Sequence, residues 1–143
     1  MTLWVLKLGT SLLRENTIHS TNELISIYCG YVAECKKRGD GVVLVSSGAV
    51  GLGCQILGIN QRPKDLVSLQ AVAAIGQGHL MGLYESAMAK YGDRVAQILL
   101  TRTDLESRIS HQNSSRTILR LIEWGIVPVV NEKQVKEEPA PSQ

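Results

Sequence analysis

The chain has 143 residues, one domain's worth, and 44% of them are apolar, enough for a real core. A net charge of +2, with Lys and Arg scattered or on helix faces, gives no basic field and excludes a nucleic-acid reader. Phe is absent, so the core is aliphatic.

Leu3 to Leu8 is a short apolar run and reads as the first strand. Lys7 lies inside it. A lysine in a buried strand is costly unless its ammonium meets water, a carboxylate or a ligand. Gly9 and Thr10 follow at once, which favours the ligand. Arg14 to His19 is polar and reads as loop.

Ser20-x-x-Glu23 is a capping box. Leu24, Ile27, Tyr28, Tyr31, Val32 and Cys35 follow at helical spacing and predict one buried face. Lys36, Lys37 and Arg38 suit the negative helix end, and Gly39 suits the residue beyond it.

Gly41 to Ser46 is β-branched and uninterrupted, as expected of a parallel strand covered on both faces. It leads into Ser46-Ser47-Gly48-Ala49 and a short helix, Ala49 to Gly58. A strand, a small-residue loop and a helix start form the geometry of a phosphate or anion cradle. Asn60 to Lys64 is a turn. Asp65 to Tyr91 is long, Ala-rich and helical. Gly76, Gln77 and Gly78 interrupt it, which predicts a kink or a close backbone contact.

Val95 to Leu100 reads as a third strand, closed by Thr101-Arg102-Thr103-Asp104. Residues 104–113 are polar. Ser114 to Trp124 reads as helix, ended by Gly125. Ile126 to Val130 is a fourth strand, with Asn131-Glu132 at its end. Pro128 predicts an edge position or a bulge. From Lys133 to Gln143 the chain is charged and Pro-containing, and reads as a polar, disordered tail.

The order of elements predicts an α/β fold, three-layered α/β/α, with an open and mainly parallel sheet. Ligands in such sheets bind beyond the carboxyl ends of the strands. Lys7-Leu8-Gly9-Thr10, Ser46-Ser47-Gly48-Ala49, Thr101-Arg102 and Asn131-Glu132 all fall there. Two small-residue loops, one with a lysine, predict a single site at that edge.

Cys29, Cys35 and Cys54 are odd in number and form no CxxC, so they read as small buried or half-buried thiols in a reducing compartment. His19, His79 and His111 lack metal-ligand spacing, and no metal site is expected. The start has no basic n-region, and no apolar run approaches the roughly 20 residues of a membrane span. The expectation is a cytoplasmic, soluble protein with neither a nucleic-acid nor a membrane partner.

Five segments in order, Val5-Leu6-Lys7-Leu8-Gly9-Thr10-Ser11, Val45 to Val50, Ala73-Ala74-Ile75-Gly76-Gln77, Leu99 to Asp104 and Val127 to Glu132, resemble the glutamate 5-kinases of the amino acid kinase family. The resemblance covers residues 1–132 and matches the amino-terminal part of that kinase domain; residues 133–143 fall outside it. It implies ATP-dependent phosphorylation of the L-glutamate side-chain carboxylate to glutamyl 5-phosphate, with Mg²⁺, at the entry to proline synthesis. It implies Lys7 as the catalytic lysine on the phosphates, with Gly9 and Thr10 as the ATP cradle. Ser47, Gly48, Ala49 and Asn131 become the substrate-binding positions. A homo-oligomer and proline as feedback inhibitor are implied by the family only.

The departures are Lys133 and Gln134, where the family has Asn-Asp, the aspartate helping to bind the substrate amino group. Nothing matches the family's later Gly-Asp-Asn-Asp segment or its nucleotide-binding half. The expectation is therefore an incomplete kinase that does not turn over alone. With its apolar fourth strand left as an edge, it is also expected to self-associate. The rivals are a non-catalytic ligand-binding or assembly half-domain, and a related carbamate, acetylglutamate or aspartate kinase.

Overall fold

The computed structural model describes residues 1–9, 20–99 and 108–131, with side chains of the last segment from residue 112. Thr10, the loop at Arg14 to His19, Leu100 to Asp104, Glu132 and the tail at 133–143 lie outside the described residues. The element order is β1 (Leu3–Leu8), α1 (Thr21–Lys37), β2 (Gly41–Ser46), α2 (Ala49–Leu57), α3 (Leu66–Ala89), β3 (Arg94–Leu99), α4 (Arg108–Glu123) and β4 (Ile126–Asn131).

All strand pairings are parallel, and the sheet order is β1-β2-β4-β3. Residues alternate between its two faces. One face presents Leu6, Leu8, Val42, Leu44, Val127 and Val129. They form the main core with Ile25, Cys29 and Val32 of α1 and Leu80, Tyr84, Ala87 and Met88 of α3. Burial there pushes the Cys29 thiol up to about 12, so Cys29 is a packing residue and no nucleophile at neutral pH. The other face carries α4, whose Ile122 lies against Gly41. It is only partly covered: Val5 of β1 is 65% exposed. The three layers are as expected from the sequence.

Ser20 caps α1, its Oγ accepting the Glu23 N–H at 3.2 Å. Gly39, at φ 85°, closes the helix as expected, with the Asp40 N–H reaching back to the Cys35 carbonyl at 3.1 Å. The buried face of α1 differs from the expected one. Leu24, Ile25, Cys29, Val32 and Ala33 are inside, whereas Ile27 and Tyr31 are exposed. Apolar residues ring this helix almost all round, so periodicity alone leaves its rotation open. The small Cys29 and Ala33 let the helix approach the sheet on the side that wins.

Three further expectations are corrected. β4 is an interior strand, paired with β3 on one side and β2 on the other. Pro128 is accommodated because the β2–β4 ladder begins one residue later, at Leu44↔Val129. Among the described residues the open edges are therefore those of β1 and β3, not β4, so self-association through a bare edge would use those strands. α4 starts at Arg108, not at Ser114: its polar first turns contain neither Gly nor Pro to stop a helix. Finally, α3 runs unbroken for 24 residues, so by length and composition it could cross a membrane, although the sequence reading found no such run. Of the two outcomes expected at Gly76 to Gly78, a kink or a close backbone contact, the helix stays continuous and Gly76 approaches the Ala49 carbonyl. Here Val72, Leu80, Tyr84, Ala87 and Met88 of α3 are core residues.

Candidate active site

The four strands end in register. Leu8 pairs with Ser46, Ser46 with Asn131, and Asn131 with Leu99, so one row of residues crosses the whole sheet at its carboxyl edge. Gly9 and Ser47 are the first residues past that row. The sequence-predicted positions Gly9, Ser47, Gly48, Ala49 and Asn131 are thus brought to one edge. Thr10 lies outside the described residues.

The two strand-end loops are joined by their backbones: the Ser47 N–H donates to the Leu8 carbonyl at 3.1 Å. This fixes the separation of the loops, and it also removes the Ser47 N–H from any ligand cradle. What remains for a ligand is the start of α2. Its N-cap is Gly48, at φ 105° in the left-handed region, so the capping residue itself has no side chain to offer the helix. The first N–H groups of a helix lack intrahelical partners and carry partial positive charge, so this end suits an anion. Ser47 itself is buried, 4% exposed. A Cβ built on Gly9 meets nothing within 4 Å among the described residues.

Lys7 is exposed and lies one row back, in register with Val45. By alternation it shares the α4 face of the sheet, opposite the face of Ser46 and Asn131. Lys7 and the Ser47–Ala49 turn therefore flank the edge from two sides. β1 is an edge strand of the described sheet, and Lys7 on it is exposed.

Three contacts hold this edge from below, two of them between side chains that the sequence reading missed. The Ser46 and Tyr84 hydroxyls are 2.7 Å apart, and both residues are fully buried. Burial raises the Tyr84 phenol well above its usual range, so it remains protonated. Gly76 of α3 packs directly on α2: a Cβ there would lie 1.7 Å from the Ala49 carbonyl oxygen. This is the close backbone contact that Gly76 to Gly78 led one to expect. Gln77 donates through Nε2 to Gln97 Oε1 at 3.1 Å, while its own Oε1 is buried without a partner. The available signal was the spacing of Gln77 and Tyr84, seven apart and hence on one side of α3.

Among the described residues no group of three His, Cys, Asp or Glu side chains could hold a metal ion. A cavity of about 200 Å³ lies at the opposite, amino edge, lined by Lys36, Asp40, Gly41, Ile122 and Gly125 among others. The charged groups of its lining are already engaged with protein partners, which disfavours it as a substrate site.

Residues 2–141 match the model of the amino acid kinase family. A glutamate 5-kinase of Prochlorococcus marinus is 61% identical over 132 residues, which are 92% of this chain and 36% of that protein. Glutamate 5-kinase of Synechococcus sp. (strain CC9605) is 58% identical over 132 residues, again 92% of this chain and 36% of the relative. The chain thus spans little more than a third of the length of these curated relatives. Among solved structures, T. acidophilum isopentenyl phosphate kinase, as a product complex, superposes with a TM-score of 0.60 at 18% identity, over 93% of this chain and 58% of that one. Carbamate kinase from Giardia lamblia bound to AMP-PNP gives 0.57 at 18%, over 96% and 59%. These two likenesses concern the fold alone. On the family match and its close relatives together, the chain belongs to the amino acid kinase family.

Proposed function

We propose that this chain supplies the acceptor-binding and phosphate-cradling part of a glutamate 5-kinase, which moves the γ-phosphoryl group of ATP to the side-chain carboxylate of L-glutamate. The observation that carries the proposal is the Ser47 N–H bond to the Leu8 carbonyl, which fuses two strand-end loops beside an uncapped helix start. Relatives named glutamate 5-kinase supply the choice of acceptor.

In this reading Gly48, Ala49 and the start of α2 present N–H groups to the acceptor carboxylate, with Ser47 and Asn131 beside it. Lys7 approaches from the other face, next to Gly9, and meets the charge that develops on the transferred phosphoryl oxygens; Thr10 is assigned to the ATP site by kinship alone. Phosphoryl transfer needs chiefly alignment of the reactants and stabilisation of this charge, and these groups provide it. ATP fits a site rich in N–H donors. Mg²⁺ is its ordinary companion, but the described residues offer no carboxylate set for it, and the roles proposed here do not depend on one. Residues 1–132 make up the kinase portion and 133–143 a polar tail. A cytoplasmic location, a homo-oligomer and proline inhibition belong to the same proposal by kinship.

The test joins this chain to the carboxyl-terminal remainder of the Prochlorococcus relative and traps glutamyl phosphate with hydroxylamine. The fusion is expected to form the hydroxamate from ATP, Mg²⁺ and glutamate, and the 143-residue chain alone to form none. Lys7→Ala in the fusion is expected to lower kcat by about a hundredfold with a modest change in glutamate KM. An unchanged kcat would mean that Lys7 is an ordinary surface residue of β1.

A further inference from the structure

Ser46 is the last residue of β2 and the one before the Ser47–Gly48 turn. Its place within the plane of the sheet is set by its pairing with Leu8 and Asn131. Its height out of that plane is set by something else. Tyr84, on α3 below, holds the Ser46 hydroxyl at 2.7 Å. On the far side of the turn, Gly76 of the same helix presses on the Ala49 carbonyl. One helix therefore grips the turn on both sides.

The hydroxyl pair is not needed to fill space. The core around it is aliphatic, and Tyr84 is the one aromatic ring among its described, fully buried members. A buried hydroxyl pair adds little net stability over an apolar pair of the same shape, because both groups must leave water. What it adds is direction: a hydrogen bond tolerates little change in length or angle, whereas methyl groups slide.

We infer that Tyr84 is a positioning residue for the acceptor, holding Ser46 through its hydroxyl so that the Gly48 and Ala49 N–H groups converge on the substrate carboxylate. Tyr84 lies beneath the turn and does not itself touch substrate. The inference rests on the reading of the Ser47–Ala49 turn as the acceptor site.

The experiment uses the whole chain labelled with ¹⁵N, with L-glutamate as the probe. Gly48 and Ala49 amide signals are followed during titration, and urea midpoints are measured alongside. Tyr84→Phe and Ser46→Ala are each expected to weaken glutamate binding by about fivefold or more and to lower the midpoint, since each leaves one buried hydroxyl alone. The double variant is expected to recover most of the midpoint, both hydroxyls being gone, yet to bind no better than either single variant. A double variant that folds as the wild type does and binds glutamate as tightly would reduce Tyr84 to a core residue. If a single variant does not fold, the double variant alone gives this answer. If the wild-type Gly48 and Ala49 signals ignore glutamate, the acceptor reading of the turn fails, and the role of Tyr84 goes with it.

Discussion

At the amino edge of the sheet charged side chains satisfy one another; at the carboxyl edge the holding is done by backbone groups, glycine contacts and buried hydroxyls. Lys36 Nζ lies 2.6 Å from both Asp93 Oδ1 and the Gly125 carbonyl, tying the end of α1 to the starts of β3 and β4. Asp40 accepts from Trp4 Nε1 at 3.0 Å and from the Thr2 N–H at 3.2 Å, with Arg38 beside it. The Trp4 bond is the main reason its carboxyl sits below the usual range. At the other edge Ser47 is tied by its N–H, Ser46 by a phenol and Ala49 by the bare backbone of Gly76. Donors at the start of α2 lack a side-chain cap. The difference teaches which edge is built to close and which to receive: a ligand can replace water at an uncapped helix start, but it would have to break ion pairs at the amino edge.

The largest test of this contrast lies at Gly76. A Cβ there meets Ala49 carbonyl oxygen at 1.7 Å and Gly53 nitrogen at 2.7 Å, both backbone atoms that cannot rotate away. Gly76→Ala is expected to destabilise the fold by about 3 kcal/mol in urea unfolding, the upper end for overpacking. Gly9→Ala, with nothing within 4 Å, is expected to stay within about 0.5 kcal/mol of wild type. Equal midpoints for the two variants would refute the close approach of α2 and α3.

Next is Lys36, whose side chain is 20% exposed. Lys36→Met is expected to cost about 2 kcal/mol, because it leaves Asp93 and a carbonyl without their charged donor. Arg120, in an exposed pair with Glu123 on α4, sets the scale: Arg120→Ala is expected to change stability by less than about 0.5 kcal/mol. A loss at Lys36 no larger than at Arg120 would mean that the amino edge is not locked by its ion pair.

The smallest effect concerns a helix start that does have a cap. Asp65 Oδ2 accepts the Ser68 N–H at 2.9 Å at the head of α3, and that bond holds its carboxyl below 3.8. The stabilisation is thus present above pH 3.8 and is lost as the pH falls through the lower folded value. Asp65→Ala is expected to lower the urea midpoint at pH 7, by an amount that shrinks as the pH falls below 3.8. A difference that persists in acid would point to packing and not to the cap.

The strands could be read directly because their apolar runs are short, unbroken and bounded by Gly, Asp or small residues. The capping box at Ser20 and the stop at Gly39 were equally legible, since both depend on residues a few positions apart. A rule about strand ends places Gly9, Ser47 to Ala49 and Asn131 together, and the register brings Leu8, Ser46 and Asn131 into one row at that edge. The rotation of α1 was not legible, because Ile27 and Tyr31 are as apolar as the residues that won. Pro128 misled for a different reason: a missing N–H matters only where a neighbour would use it, and the β2 ladder starts after it. The Ser46–Tyr84 and Gln77–Gln97 pairs join residues 38 and 20 positions apart. No local pattern announces such pairs; they exist only once α3 has docked.

The strand order carries one more consequence, for how the chain is made. β4 comes last in sequence among the described strands but lies between β2 and β3. When β3 emerges from the ribosome, its partner in the sheet has not yet been synthesised, and β1 and β2 can form only an open pair. The sheet closes when residues 126–131 enter the gap, and the pairing that joins β3 to β1 and β2 waits for that step. Such non-local parallel pairing folds slowly and leaves apolar surface open meanwhile. A chaperone that shields β2 and β3 until β4 has cleared the exit tunnel would raise the yield of folded protein more than one that acts after release.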